Sequence, residues 1–155
     1  MQTTNHAKDF FIKYVAPSFA EWSNSRNDQR VAMDLANNLN NIIEYYWHTF
    51  SDTNPDKVFN KTKLKSFRNE LAQNNQDISL IRDIADAHKH LRLSRPDRNL
   101  TNANQTAPKN LGYGQAYGLA YGGGEVLAIT LDDGSEKYFS IIAEAAYKYW
   151  ANEFE

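Results

Sequence analysis

The chain has 155 residues, a formal net charge of -2 and no cysteine. A chain of this length folds as one domain and buries roughly 70% of its extended surface without cross-links. The absence of cysteine excludes disulfides, a thiol nucleophile and zinc sites built from thiolates, and no stretch approaches the ~20 apolar residues of a membrane span.

Residues 1–9 are polar and lack the apolar run of a secretory signal, so a soluble, cytoplasmic protein without membrane contact is expected. From about residue 6 to 22, Phe11, Val15, Phe19 and Trp22 recur at helical spacing, and Pro17 predicts a kink or break. Between about 27 and 50, Val31, Leu35, Leu39, Ile42, Tyr46 and Phe50 draw one apolar stripe and predict a long helix. A Thr53-Asn54-Pro55-Asp56 turn follows, then a helix from about 60 to 72 with Leu64, Phe67 and Leu71 inward.

The next helix is expected to start at Asp77 as N-cap and to bury Leu80, Ile81, Ile84, Ala87 and Leu91. It must stop by 94 or 95, because Pro96 disfavours helical geometry in the residue before it. Residues 96–111 are polar and without period, and read as a mobile loop.

All seven glycines lie between Gly112 and Gly134. Residues 112–122 repeat every four positions and place Tyr113, Tyr117 and Tyr121 on one face of a strand; a helix would carry about 1 kcal/mol of cost per interior glycine. The runs 125–131 and 136–140 flank Asp132-Asp133-Gly134-Ser135 and predict a hairpin. A final helix over about 140–154 carries Ile141, Ile142, Ala145, Tyr149 and Trp150 as apolar positions. The expected fold is therefore mainly α: a bundle of four or five helices with a small antiparallel β-sheet, the glycine-tyrosine strand plus the hairpin, inserted before the C-terminal helix. Residues 1–155 form a single domain, with a helical part (1–95), a polar loop (96–111), the small sheet (112–140) and a closing helix (141–155).

Residues 57–99 hold ten Lys or Arg against five Asp or Glu, a local excess of +5 in a chain whose total is -2. Such a segment reads either as a phosphate-facing surface or, for the lysines at 57–65, as a solvated helix face. Within it, residues 80–93 (L-I-R-D-I-A-D-A-H-K-H-L-R-L) place Arg82, His88 and His90 on an amphipathic helix. A fixed cation beside a group that titrates near neutral pH suits a phosphodiester: His88 moves a proton and Arg82 stabilises charge on phosphorus. The two sit about 120° apart around the helix and roughly 9 Å along it, a gap that a long arginine side chain or a symmetric second chain can close.

A structural reading stands beside the catalytic one. His88, Lys89, His90 and Arg92 occupy the last turns, where cations meet the helix dipole for about 0.3–1 kcal/mol each. Arg82 with Asp86, and Asp86 with His90, are spaced for local pairs. Glu44 and His48 are spaced to share a metal, but no second such pair completes a set, and they read as a surface pair; no metal and no cofactor is expected. There is no phosphate-loop motif among the glycines. The three tyrosines either stack bases or cover the small sheet and its edge.

An arginine, a polar residue and a histidine after five intervening positions, here Arg82, Asp83 and His88, on a late helix of a helical bundle, resembles the higher eukaryotes and prokaryotes nucleotide-binding (HEPN) superfamily. The same stretch is also similar to bacterial proteins of no assigned role. The HEPN resemblance implies a dimer whose paired motifs line one cleft, with many members cutting RNA without metal and leaving a cyclic phosphate, in toxin or phage-defence settings; others only bind. On this reading Arg82 and His88 are catalytic, Asp83 orients Arg82, and Lys89, His90, Arg92 and Arg95 hold the RNA backbone. The alternative is a non-catalytic interaction or oligomerisation module, in which Tyr113, Tyr117 and Tyr121 meet a partner protein or a second copy.

Overall fold

The computed structural model describes residues 5–93, 98–110 and 125–155. Its first helical run comprises α1 (His6–Phe10), a π-helical turn (Phe11–Val15) and α2 (Ala16–Ser23). Asn5 opens it, its side chain accepting from the Lys8 N–H at 2.9 Å. Pro17 has no N–H to give, and the ladder widens just before it, the Ala16 N–H reaching back five residues to the Phe11 carbonyl. The expected break is thus absorbed as a π turn, and Phe11, Val15 and Trp22 stay buried on one side.

Helix α3 (Gln29–Phe50) starts where Asp28 accepts from the Val31 N–H at 3.2 Å, and its apolar stripe is buried from Val31 to Tyr46. A short 3-10 turn (Pro55–Val58) follows. Phe59 and Asn60 both have φ of 57°, a left-handed geometry no helix continues through. For that reason α4 (Leu64–Asn74) begins four residues later than the periodicity alone suggests. Helix α5 (Gln76–His90) is capped by Asn75, whose side chain accepts from the Ile78 N–H at 3.1 Å; Asp77, expected as the cap, lies in the first turn instead. Asn75 has the extended backbone typical of a cap, which turns its side chain onto the first free N–H groups, whereas Asp77 is already inside the helix.

Helix α5 ends at His90, earlier than Pro96 requires. Leu91 takes φ 66° and is 70% exposed, which corrects its assignment to the buried face. The chain then folds back, with the Leu93 N–H on the Thr101 carbonyl and the Ala103 N–H on the Leu91 carbonyl. The polar stretch expected as a mobile loop is therefore largely built in. Leu100 is fully buried, and β1 (Thr106–Asn110) joins β2 (Glu125–Thr130) and β3 (Glu136–Tyr138) in an antiparallel sheet of order β1-β2-β3. Thr106 faces Ile129 and Ala128 faces Tyr138 across the ladders. Pro108, which has no N–H to donate, stands opposite Leu127 in the β1–β2 ladder. Gly134, at φ 88°, closes the predicted hairpin. The glycine-tyrosine repeat, expected as the first strand, lies outside the described residues with Tyr113, Tyr117 and Tyr121.

Helix α6 (Phe139–Glu153) closes the bundle against α3 and α5. It buries Phe139, Ile142, Ala143, Ala146 and Trp150, while Ile141 faces solvent. Tyr46 is the hub of an aromatic cluster with Phe50, Phe67 and Trp150, and Phe19 stacks on Tyr147 at 3.9 Å. Among the described residues no helix is long and apolar enough to cross a membrane.

Candidate functional site

The site grows from a buried carboxylate. Asp83 is 0% exposed on the inner side of α5, and a lone buried charge there would cost several kcal/mol. Four donors compensate it. Arg82 Nε lies 3.1 Å and Arg98 Nη1 2.7 Å from Oδ1, while the Asn99 N–H and Nδ2 lie 2.7 and 2.8 Å from Oδ2. Asn99 also donates to Ser79 Oγ at 3.0 Å, which ties the segment after Pro96 to the helix.

Arg98 spans two acids, its Nη1 lying 2.9 Å from Asp86 Oδ2 as well. Burial works against this cation, but the hydrogen bonds and charges of Asp83 and Asp86 outweigh it and raise its pKa above the usual value. Its Nε is buried without a partner among the described residues. That omission costs about 1–3 kcal/mol, so the two carboxylates, rather than its own full satisfaction, set the orientation of the guanidinium. Arg68, from α4, donates to Asn40 Oδ1 at 3.0 Å. Burial lowers its pKa; Glu44 and Asp86 oppose this, and the nearby Arg82 and Arg98 cations add to it.

Above this layer opens a cleft of about 960 Å³ between α3, α4, α5 and the chain after α5. Its α5 side presents Arg82, Asp86, His88, Lys89 and His90, continuing through Arg92 to Arg98. Its α3 and α4 sides present Asn37, Asn40, Asn41, Glu44, Lys65, Arg68 and Asn69. Among the described residues, six Lys or Arg and two His thus meet two carboxylates, Glu44 and Asp86, a balance that attracts a polyanion.

Arg82, only 8% exposed, and His88, exposed, border this one cleft despite their angular separation on α5. His88 and His90, two residues apart, both border it as well, because His90 is the last helical residue and the cleft wraps around the helix end. Lys89 and Arg92 lie on the same rim. Arg95 lies outside the described residues. Asp86 bonds Arg98, in place of the local pairs with Arg82 and His90 that its spacing suggested. The Glu44–His48 pair forms as expected, at 3.6 Å on the surface. No group of three or more metal-binding side chains occurs among the described residues.

Sequence reasoning missed Arg98, Asn99 and Arg68 as members of this site. Arg98 and Asn99 sit in a stretch without periodicity, and their part depends on the chain doubling back over α5. Arg68 was visible only as one of many cations. No family model matches the chain, and neither the curated proteins nor the solved structures contain a match to it.

Proposed function

We propose that this chain is an HEPN-like RNA-binding protein that acts as a metal-independent endoribonuclease, as a homodimer and in a toxin or phage-defence setting. The observation that carries the reading is that Arg82, held by buried Asp83, and exposed His88 border one cation-rich cleft. In this scheme the His88 imidazole takes the proton of a ribose 2′-hydroxyl. The 2′ oxygen attacks phosphorus as the bond to the 5′ oxygen breaks, giving a 2′,3′-cyclic phosphate and a 5′-hydroxyl end. Arg82 stabilises the charge gathering on the non-bridging oxygens, and its bond to Asp83 keeps the guanidinium aimed at them. In the homodimer, the second chain's His88 protonates the leaving 5′ oxygen. Lys89, His90, Arg92 and Arg95 hold flanking phosphates.

The test is incubation of the purified protein with total RNA in excess chelator, beside His88→Ala and Arg82→Lys chains verified as folded by circular dichroism. Cleavage with cyclic-phosphate ends is expected, falling at least about 100-fold in each variant. Equal cleavage by the His88→Ala chain would overturn the assignment. The homodimer is checked by sedimentation equilibrium.

A further inference from the structure

Four asparagines crowd five consecutive positions of α3: Asn37, Asn38, Asn40 and Asn41. Asparagine is a poor residue for a helix interior, because its amide competes for the backbone, so helix formation does not explain this run. Two of the four have internal tasks. Asn38 donates to Ser18 Oγ at 2.6 Å, joining α3 to α2, and Asn40 accepts from Arg68 at 3.0 Å. The other two, Asn37 and Asn41, stand one turn apart on the same face and border the cleft, and Asn69 borders it from α4. Among the described residues none of these three side chains has a hydrogen-bond partner in the protein.

The cleft is therefore two-sided. On the α5 side Lys89 and Arg92 supply charge; the α3 and α4 sides carry Glu44, Lys65 and Arg68 as well, and there Asn37, Asn41 and Asn69 add paired donors and acceptors that the α5 side lacks. A phosphate group needs only the first. A nucleobase presents the complementary edge to the second, since a carboxamide donates and accepts at once and pairs bidentately with a base edge. In a duplex the base edges are held at fixed depth in the grooves, whereas an unpaired strand can turn its bases away from its backbone.

We propose that Asn37, Asn41 and Asn69 form a base-reading wall, so that the cleft takes single-stranded RNA with its phosphates toward α5 and its bases toward α3 and α4. This deepens the RNA reading above and rests on it. Base identity is then read by the asparagines and strand affinity is set by the cations.

The test is fluorescence-anisotropy binding of oligo-A, oligo-C, oligo-U and an abasic sugar-phosphate strand of equal length, all carrying 2′-fluoro in place of the 2′-hydroxyl so that none can be cleaved, to the full chain and to Asn37→Ala, Asn41→Ala and Asn69→Ala chains. The native chain is expected to prefer one homopolymer over the others, and over the abasic strand, by about tenfold. Loss of the Asn37 and Asn41 amides should bring that homopolymer down to the affinity of the abasic strand. All three substitutions lie on solvated or half-buried helix positions where alanine favours the helix, so the variants are expected to fold. Equal affinity of the native chain for all four strands, or a preference that survives the substitutions, would overturn the base-reading wall alone. Failure of the native chain to bind any strand would overturn the RNA reading with it.

Discussion

Asp83 is the residue on which the site's architecture turns. It holds Arg82 and Arg98 through one oxygen and the Asn99 backbone and amide through the other. Asp83→Asn leaves the buried Arg82 guanidinium without its carboxylate and Arg98 with Asp86 alone, and should destabilise the fold by about 3 kcal/mol, read from urea unfolding. His88→Ala, at an exposed position, should change stability by less than about 0.5 kcal/mol while abolishing cleavage. Away from the cleft, burial and the charge of Glu153 push the Tyr149 phenol up to about 12, and burial with the Glu153 hydrogen bond raises Tyr46 further. A phenol that ionises later in the folded chain than in the unfolded one favours folding fully below pH 10, and that advantage is lost as pH rises through the folded value. Urea midpoints should therefore hold up to about pH 10 and fall steeply toward 12, with a shallower fall in Tyr149→Phe.

Helix ends separate the expected elements from the observed ones. For α5, Asn75 rather than Asp77 provides the cap, so Asn75→Ala should lose about 1 kcal/mol and Asp77→Ala clearly less, measured by thermal unfolding of the two variants side by side. At the other end, Leu91 holds φ 66° and ψ -42° with an exposed side chain. Strain of this kind costs about 1–3 kcal/mol in a residue with a Cβ, and Leu91 has little packing to lose. Leu91→Gly is thus expected to raise stability by about 1 kcal/mol; a drop in melting temperature would show that the leucine side chain contributes contacts that outweigh the strain.

For the whole molecule, the charge balance of the cleft matters more than the net charge of -2. Arg82 and Arg98 are already bound to carboxylates, which leaves Lys65, Arg68, Lys89 and Arg92 as cleft cations without a carboxylate partner among the described residues. If the two on the α5 side, Lys89 and Arg92, meet phosphates, the logarithm of the RNA affinity should fall with the logarithm of salt concentration at a slope of about -1.4 or steeper. Lys89→Ala and Arg92→Ala should each flatten that slope by about 0.7, whatever the base composition. A slope near zero would mean that the strand avoids the cleft.

The sequence by itself determined the helices and the hairpin, because periodicity is a local property: the stripe from Val31 to Tyr46, the buried face from Leu80 to Ala87, and the hairpin at Gly134 all appear where the residues place them, whereas β1 lies in the stretch that reads as a loop. It also marked Arg82, Asp83 and His88, since their spacing lies within one helix. Only the tertiary structure decided what those residues face. Arg98 and Asn99 reach Asp83 across 15 and 16 positions of chain, and Arg68 reaches Asn40 across 28. In the described part of the polar segment after α5, Arg98, Asn99, Thr101 and Gln105 each make separate bonds to the helix, the sheet or the hairpin turn, a use that imposes no period. Ion pairs and clefts form between elements, and their partners are chosen by how the bundle packs, which no local pattern encodes.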